Sequence, residues 1–244
     1  MSNPFLNLNI TVSTEPEIFH TMRQQLVRIK SIEHINYNVL RIVAEKPQQF
    51  NFIPGQATEI SVNRNGWEAE KRPFTFTSVP EDDYLEFTIK IYPMLRNVTY
   101  EIDELVVNDE LILHEVFGEI AYKGEGVFIA GGAGVTPFIS IFRYLHSINK
   151  IGENKLILAN NSKADIILER EFKDLLNGNF INILTHENIE GYSHGLITED
   201  FLSEHLTETS NFVYLCGPPP MMASVEKQLA DLNIAEKLII KEAF

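Results

Sequence analysis

The sequence is poor in cysteine and in long apolar segments. Its one cysteine, Cys216, excludes an intrachain disulfide and an iron–sulfur cluster held by cysteines of this chain alone. No uninterrupted apolar segment approaches ~18 residues, which argues against a transmembrane helix. The opening residues 1–6 lack the positively charged and then apolar layout of a secretory signal. We therefore expect a cytoplasmic location.

Positive charge is also scarce. The chain has 20 Lys and Arg residues against 34 Asp and Glu residues, which gives a net charge of −14. This balance disfavours nucleic acid and anionic membrane surfaces, and we expect neither as a partner. The 244 residues, 44% of them hydrophobic, suffice for two domains with substantial cores.

The first half of the chain has the short alternating segments of a small antiparallel β-barrel. Strands are predicted at 24–32, 36–44, 57–62 and 84–92, with turns at 33–35 and Asn65-Gly66 and a short helix at 98–105. Residues 1–21 are weakly periodic, and they form either an arm or an extension of the domain that begins near Met22.

After about residue 123 the pattern changes to strands that alternate with helices. Strands are predicted at 126–130, 155–159, 180–185 and 211–216, and helices at 138–147, 165–176, 199–204 and 219–232. This order is typical of βαβ units and a parallel sheet, whose ligands bind at the carboxyl ends of the strands. We therefore predict a barrel domain at 22–122 and an α/β domain at 123–244.

The segment Ala130-Gly-Gly-Ala-Gly-Val-Thr-Pro137 joins a short apolar strand to a helix. Gly131, Gly132 and Gly134 permit a positive φ and a close approach of a ligand to the backbone around Ala133. Thr136 is predicted to cap the helix, and Pro137 suits the first helical position. Free amides at a helix N-terminus favour a pyrophosphate, although glycine turns of this kind also arise for packing reasons.

A second motif, Arg72-Pro-Phe-Thr-Phe-Thr-Ser78, lies in the barrel half. Arg72 offers a fork of donors suited to phosphate, Thr75 and Ser78 offer hydroxyls, and Phe74 offers an aromatic face. The alternative is an ordinary strand with an arginine at its edge. Downstream, Arg96-Asn-Val-Thr99 precedes the short helix, whose amides are a further candidate for phosphate.

Together these motifs resemble the ferredoxin–NADP reductase family, including the bacterial flavodoxin reductases. The resemblance covers roughly residues 22–244. Residues 72–78 resemble the flavin motif of the family, 130–137 its nicotinamide pyrophosphate turn, and Cys216-Gly-Pro-Pro-Pro-Met-Met222 its nicotinamide site. The ending Glu242-Ala-Phe244 resembles members that end with glutamate, one residue and an aromatic. The order of the four motifs is that of the family.

The resemblance implies that the barrel binds FAD in preference to FMN. Arg72 and Ser78 would hold its pyrophosphate, Phe74 would pack on the flavin ring, and Thr75 would bond the ring nitrogen that accepts hydride. The cofactor-binding residues implied in this half are Arg72, Pro73, Phe74, Thr75, Ser78, Val98 and Thr99. Phe74 and Thr75 replace the usual tyrosine and serine, and Asn97 stands where glycine is common.

For nicotinamide, the resemblance implies a site at the sheet edge with Phe244 stacked on the flavin until the nicotinamide displaces it. Thr75, Cys216, Glu242 and Phe244 are the implied catalytic residues, with Cys216 in a positioning role. A lone cysteine is otherwise most often a buried small hydrophobe. The other implied contacts are Gly131, Gly132, Ala133, Gly134, Thr136, Pro137, Asn160, Gly217, Pro218 and Met221. We expect no metal ligand.

The choice between NADPH and NADH stays open at this point. Thr185-His-Glu187 stands where NADP-binding members carry serine-arginine, and Glu187 disfavours a 2′-phosphate. His186, Lys163 and Arg170 favour one.

The resemblance implies a flavin-dependent NAD(P)H oxidoreductase that serves a small electron-carrier protein such as flavodoxin or ferredoxin. Two alternatives remain. One is the reductase component of an oxygenase or a free-flavin reductase, and the other is a flavin-binding subunit without turnover. The acidic balance of the chain would require a local basic surface for an acidic carrier.

Overall fold

The computed structural model describes residues 24–92, 98–206 and 212–243. The expectations for residues 1–21, for Arg96-Asn97 and for Phe244 lie outside this part of the chain. Two six-stranded sheets organise the described residues, one antiparallel and one parallel.

The antiparallel sheet has the strand order β4-β3-β6-β1-β2-β5. Its elements are β1 (Gln25–Asn36), β2 (Val39–Glu45), β3 (Ala57–Val62), β4 (Arg72–Thr75), β5 (Tyr84–Lys90), the short helix α1 (Val98–Asp103) and β6 (Glu110–Phe117). Just beyond β4, Phe76 forms a bridge with Phe87 of β5. Because β4 and β5 are the two edges of this sheet, that bridge closes it into the predicted barrel.

Aromatic side chains fill the barrel where it closes. Phe76 stacks on Phe52 with ring centroids 4.3 Å apart and lies 5.3 Å from Phe87. All three rings are buried, and aliphatic side chains of the barrel strands complete the core. The core therefore fixes the strand that carries the Arg72 motif against β5.

The parallel sheet has the order β10-β9-β8-β7-β11-β12. Its strands are β7 (Gly126–Gly131), β8 (Lys155–Asn160), β9 (Phe180–Leu184), β10 (Ser193–His194), β11 (Phe212–Gly217) and β12 (Ile239–Ala243). The chain moves outward from β7 to β10 and then returns to place β11 on the other side of β7. The carboxyl ends of β7 and β11 are thus a topological switch point, where such sheets bind ligands.

Helices cover both faces of the parallel sheet. They are α2 (Thr136–Ser147), α3 (Glu169–Leu176), α4 (Glu199–His205) and α5 (Pro219–Asp231). Phe128 faces the core under α2 and α3, while its neighbours Val127 and Ile129 face the core under α4 and α5. Val39 and Ile120 of the barrel half join the first of these cores, so that the two halves share packed surface.

The predicted position of the turn in the first hairpin was wrong. β1 runs on to Asn36, and the chain reverses at Tyr37-Asn38 instead of at 33–35. The side chain of Asn36 accepts a hydrogen bond from the amide of Asn38 at 3.0 Å, a local bond that favours this turn. Two register shifts in β1 disturb the alternation that would have revealed the longer strand.

Other elements also differ from the predictions. The helix expected at 165–176 is a 3₁₀ turn at Lys163–Asp165 followed by α3, because Leu168 takes a left-handed φ of 52° between them. β5 ends at Lys90 instead of residue 92. The strands β6, β10 and β12 were not predicted, and β4 was considered only as the alternative interpretation of the motif at 72–78. The Asn65-Gly66 turn lies within a longer loop between β3 and β4.

Candidate active site

One cleft of about 530 Å³ lies between the closing edge of the barrel and the switch point of the parallel sheet. Its lining residues come from β4, β5, α1, the turn after β7 and the turn after β11. They are Arg72, Pro73, Phe74, Thr75, Thr88, Ile89, Lys90, Tyr92, Thr99, Gly131, Gly132, Ala133, Gly134, Thr136, Gly217, Pro218 and Pro219. The cleft therefore joins the motif at 72–78, the glycine turn and the Cys216-Gly-Pro segment.

The glycine turn forms one side of the cleft by close backbone packing. A Cβ on Gly134 would lie 2.3 Å from the carbonyl oxygen of Cys216, and one on Gly217 would lie 3.0 Å from the nitrogen of Gly131. Gly132 alone takes a positive φ in this turn, 53°, and a Cβ there would meet nothing closer than 3.9 Å. Glycine is needed at 134 for packing, while at 132 it leaves the backbone open to a ligand.

The predicted cap by Thr136 was wrong. Val135 precedes the helix, and the Thr136 hydroxyl donates to the carbonyl of Ala133 at 3.0 Å instead of accepting an amide proton. The same hydroxyl lies 3.3 Å from the hydroxyl of Thr75 across the cleft. Thr136 thus links the glycine turn to the barrel strand. Pro137 occupies the first turn of α2, as predicted, but is buried away from the cleft lining.

Strand β4 forms the opposite wall. Arg72 is exposed, and its Nη1 donates to the carbonyl of Lys71 at 2.7 Å, which leaves its other donors at the rim. Phe74 is half-buried, and Thr75 is 4% exposed. Along β4, from the rim of the cleft to its floor, the wall therefore presents the arginine, then the aromatic ring, then the hydroxyl.

Four lining residues from the end of β5 and just beyond it were not predicted from the sequence: Thr88, Ile89, Lys90 and Tyr92. Three of them, Thr88, Lys90 and Tyr92, alternate along the chain, and a strand presents alternate residues on one face. The period-two pattern of 88–92 was the available signal. It identified the strand, but only the closure of the barrel brings that face to the motif at 72–78.

Ser78 was expected to hold a pyrophosphate, but it does not line the cleft. It is 1% exposed, its hydroxyl accepts the amide proton of Glu86 at 3.0 Å, and its carbonyl accepts from Ser140 of α2 at 2.7 Å. Its observed contacts join the two halves of the molecule. Val98 likewise points into the barrel core, while its neighbour Thr99 lines the cleft.

Cys216 lies beneath the cleft at the end of β11 and is fully buried. Burial raises the pKa of its thiol, and the nearby Glu242 carboxylate raises it further. Glu242 is aligned with Cys216 in the sheet, yet its side chain accepts the Glu119 amide proton at 3.3 Å and lines a separate groove between the barrel and α5. A protonated, buried thiol suits positioning better than nucleophilic attack.

Met221 and Asn160 flank the glycine turn from below. A Cβ on Gly131 would lie 2.5 Å from the sulfur of Met221. Asn160 is buried, and within the part of the chain that the structure describes its side-chain nitrogen has no hydrogen-bond partner. Its side-chain oxygen lies 4.0 Å from where a Cβ of Gly132 would stand. An orphaned donor next to an open backbone is an available ligand contact.

Further along the sheet edge, Glu187 closes a backbone position that an anion would otherwise use. Its carboxylate accepts the amide proton of Lys163 at 2.7 Å, at the start of the 3₁₀ turn that follows β8. His194 holds the carbonyl of Glu187 through its ring Nδ1 at 2.9 Å. Negative charge is therefore fixed at the sheet edge beside the turn after β8.

The donor set of the cleft fits two phosphate-bearing cofactors. A guanidinium at the rim and open backbone at the start of a helix suit phosphate groups, while Phe74 and Tyr92 offer ring faces. The volume lies within the range of cofactor sites. Residues of both halves contribute, so that a ligand on the barrel wall and one on the glycine turn would meet in the same space.

The matches to known families follow this division. The family described as FAD-binding domain matches residues 24–123, and the family described as oxidoreductase NAD-binding domain matches residues 128–227. No helix within 24–92, 98–206 or 212–243 has the length and apolar character needed to cross a membrane.

Individual relatives agree with these matches. The propane 2-monooxygenase reductase component of Mycolicibacterium goodii is 29% identical over 199 residues, which are 75% of this chain and 56% of that protein. NADH-cytochrome b5 reductase 1 of Mortierella alpina is 32% identical over 201 residues, 75% of this chain and 65% of that protein. The chain thus spans less than two thirds of the length of either relative.

Among solved structures, the flavohem-like FAD/NAD-binding domain of nitric oxide dioxygenase from Vibrio cholerae has the same fold. The TM-score is 0.80 at 22% identity, over 91% of this chain and 99% of that one. A closed barrel and a switch-point sheet that share one cleft define the two-domain architecture, and the two family matches divide at the boundary between them. The chain belongs to the ferredoxin–NADP reductase-like family, whose cofactors here are FAD and a nicotinamide dinucleotide.

Proposed function

We propose that this protein takes a hydride from a reduced nicotinamide dinucleotide onto FAD and passes the electrons singly to a separate protein. The observation that carries the proposal is the shared cleft, in which the barrel wall at 72–75 faces the glycine turn at 131–134. When bound, FAD supplies the conversion between a two-electron donor and one-electron acceptors. The chain itself supplies binding, orientation and exclusion of water.

On the barrel side, Arg72 would hold a phosphate of the flavin cofactor through its exposed donors, with Thr99 at the start of α1 as a second contact. Phe74 would cover one face of the ring. Thr75 would donate a hydrogen bond from the floor of the cleft, where its hydroxyl oxygen accepts from the Thr136 hydroxyl at 3.3 Å. Ser78 would act on the flavin wall only through the backbone that it anchors.

On the sheet side, the open backbone at Gly132 and the donor of Asn160 would hold the nicotinamide pyrophosphate. Gly217 and Pro218 would lie along the nicotinamide, with the thiol of Cys216 beneath them. Hydride transfer depends on alignment more than on a nucleophile, so rigid backbone contacts are the relevant contribution. Glu242 and Phe244 are proposed to complete this end of the site.

We further propose NADH as the preferred donor. In sheets of this type an acidic residue after a neighbouring strand suits the free ribose of NAD, whereas a cation suits the 2′-phosphate of NADP. Glu187 fixes negative charge there by its bond to the Lys163 amide. The name of the relative NADH-cytochrome b5 reductase 1 agrees with this choice.

The acceptor is proposed to be a small electron-carrier protein or an oxygenase component. The oxygenase alternative is favoured by one specific observation, the similarity to a monooxygenase reductase component. A flavodoxin or ferredoxin would need a positive docking surface, and the chain as a whole is acidic at −14.

The test is steady-state turnover with NADH or NADPH against a panel of acceptors. Ferricyanide reports flavin turnover itself, while flavodoxin, ferredoxin and free FMN distinguish the acceptor classes. The proposal predicts FAD-dependent ferricyanide reduction that is faster with NADH. A flavin-loaded protein that turns over with neither nucleotide would refute it and would favour a binding subunit.

A further inference from the structure

A cluster of five charged side chains lies at the junction of the two halves, outside the cleft. Arg41 comes from β2, Glu86 from β5, Arg143 from α2 and Glu171 from α3, and the exposed Glu33 of β1 pairs with Arg41 at 3.1 Å. The side chain of Glu86 is only 1% exposed, and that of Arg143 is 21% exposed. The cluster thus places a buried carboxylate of the barrel against an arginine of the parallel-sheet half.

Every charged group of this cluster is paired. Nη1 of Arg143 lies 2.5 Å from Oε1 of Glu86, and its Nε and Nη2 lie 2.5 Å and 2.9 Å from the two oxygens of Glu171. Arg41 binds the second oxygen of Glu86 at 2.7 Å. The remaining contact of Arg143 is a hydrogen bond of 2.8 Å to the carbonyl of Thr77.

A buried ion pair by itself is weak evidence for stability, because the loss of hydration offsets much of the attraction. Its directional bonds nevertheless favour one arrangement of the elements that supply them, because any displacement would leave a buried charge without a partner. Here those elements belong to two different domains. The cluster is therefore suited to fixing the relative position of the halves.

The face of α2 that carries Arg143 runs from this cluster to the cleft. Thr136, Ser140 and Arg143 lie on successive turns of the helix. They contact, in turn, the Thr75 hydroxyl at 3.3 Å, the Ser78 carbonyl at 2.7 Å and the Thr77 carbonyl at 2.8 Å. One helix face thus contacts Thr75, Thr77 and Ser78 of the barrel.

A second path leads from Glu86 to the cleft within the barrel. The Thr77 hydroxyl donates to Glu86 at 2.9 Å and lies 3.3 Å from the hydroxyl of Thr88. Thr88 lines the cleft. Both walls of the cleft are therefore connected to the Glu86–Arg143 pair. The barrel wall is connected through the segment 75–78 and Thr88, and the glycine turn is connected through α2, which begins directly after it and carries Arg143.

From this geometry we propose that Arg143 is a positioning residue for hydride transfer, acting through its bonds to Glu86 and Thr77. The inference rests on the proposed function. In that reaction the reduced nicotinamide loses two electrons and one proton as a hydride, and the flavin gains them. The rate depends steeply on how the two rings are held, since a misplacement of about 1 Å can cost ~100-fold. Arg143 sets the position of the two walls that hold them.

The experiment compares Arg143→Gln, Arg143→Lys and Glu86→Gln with the wild type in the full chain. Arg28→Gln is the matched control, because Arg28 also pairs with a carboxylate, Glu110 at 3.2 Å, but is exposed and lies within the barrel. Three quantities are measured for each protein. They are the FAD dissociation constant, the limiting rate of flavin reduction by NADH in anaerobic stopped flow, and hydrogen exchange of residues 75–78 in the flavin-free protein.

We expect the substitutions to lower the rate of hydride transfer while leaving FAD binding almost unchanged. Arg143→Gln keeps FAD affinity within about threefold but lowers the limiting rate by about tenfold to 100-fold, with little change in the NADH concentration at half-maximal rate. Arg143→Lys restores part of the rate, since it keeps the charge. Exchange at residues 75–78 becomes faster in Arg143→Gln even without cofactors, and Arg28→Gln resembles the wild type in every measurement.

Either of two results would overturn the inference about Arg143 and leave the proposed function intact. One is a limiting rate within about twofold of wild type in Arg143→Gln, and the other is a rate that falls only in proportion to lost FAD. If Arg143→Gln does not fold, Ser140→Ala removes the bond to Ser78 on the same helix face without stranding a charge, and it should lower the limiting rate severalfold. A wild-type protein that binds FAD but is not reduced by either nucleotide would instead refute the proposed function.

Discussion

Gly134 packs directly on the carbonyl group of Cys216, so that the turn after β7 and the end of β11 form one continuous backbone surface. A Cβ on Gly134 would lie 2.3 Å from that oxygen and 2.6 Å from its carbon. Neither neighbour is a flexible side-chain end. The side of the cleft proposed for nicotinamide therefore depends on the absence of a single methyl group.

Replacing Gly134 by alanine is expected to destabilise the protein by about 1–3 kcal/mol, the usual cost of overpacking. Gly132→Ala is the matched comparison, because its φ of 53° is unfavourable for alanine by about 1 kcal/mol but its Cβ would have space. Urea unfolding measures both. Equal stability of Gly134→Ala and the wild type would contradict the packing described here.

Arg72→Ala is expected to weaken FAD binding by roughly tenfold to 100-fold, because charge-assisted hydrogen bonds to phosphate are lost. Lys71→Ala is the control, since it removes a neighbouring positive charge that pairs with Glu59 at 3.5 Å and does not line the cleft. Titration of flavin-free protein with FAD gives both constants. Similar affinities for the two variants would exclude Arg72 as the phosphate contact.

Glu187→Gln is expected to raise kcat/KM with NADPH by roughly tenfold while that with NADH changes little. The substitution removes a negative charge from the sheet edge but keeps a group that accepts the Lys163 amide proton. Initial rates with the two nucleotides and ferricyanide provide the comparison. An unchanged ratio of the two kcat/KM values would place the 2′-phosphate elsewhere.

The thiol of Cys216 is expected to react slowly with maleimide in the native protein. It is fully buried, and burial together with Glu242 raises its pKa, so that little thiolate is present at neutral pH. In guanidinium chloride the reaction should be fast, and Cys216→Ser should show no labelling because the chain has one cysteine. Rapid stoichiometric labelling of the native protein would show an accessible thiol.

Glu86 should give the stability a defined dependence on pH. Burial raises the pKa of this carboxyl, but Arg143 and Arg41 outweigh burial and hold the pKa below its ordinary 4.5. Since the folded-state pKa is the lower one, the contribution is complete above about pH 4.5 and is lost as pH falls through the folded value. The difference in Tm between wild type and Glu86→Gln should therefore shrink in acid. A difference that stays constant down to about pH 3 would argue against a depressed pKa.

The order of elements was predictable from the sequence because each has a local pattern. Apolar runs at 126–130 and 155–159 next to glycine turns and helical segments predicted a parallel sheet, and the sheet has this arrangement. β6 and β12 were not predicted, and their pairing with distant strands defines them. The barrel itself closes through the bridge between Phe76 and Phe87 and the hydrogen bonds that Glu86 makes with Thr77 and Ser78.

The lining of the cleft was predictable from the sequence for residues that belong to a local motif. Arg72, Phe74, Thr75 and the glycine turn do line one cleft. Ser78 does not, because its partners Glu86 and Ser140 come from other elements, and Ser140 is 62 residues away. The Glu86–Arg143 pair spans 57 residues, and nothing in either local sequence indicates that the two meet.

The most direct test of the central claim is the visible spectrum of the purified protein, recorded without oxygen before and after one equivalent of NADH. The account predicts the two absorption bands of oxidised flavin and their bleaching on addition of NADH, with slower bleaching by NADPH. A protein that binds no flavin when FAD is supplied, or whose bound flavin is bleached by dithionite but by neither nucleotide, would contradict it.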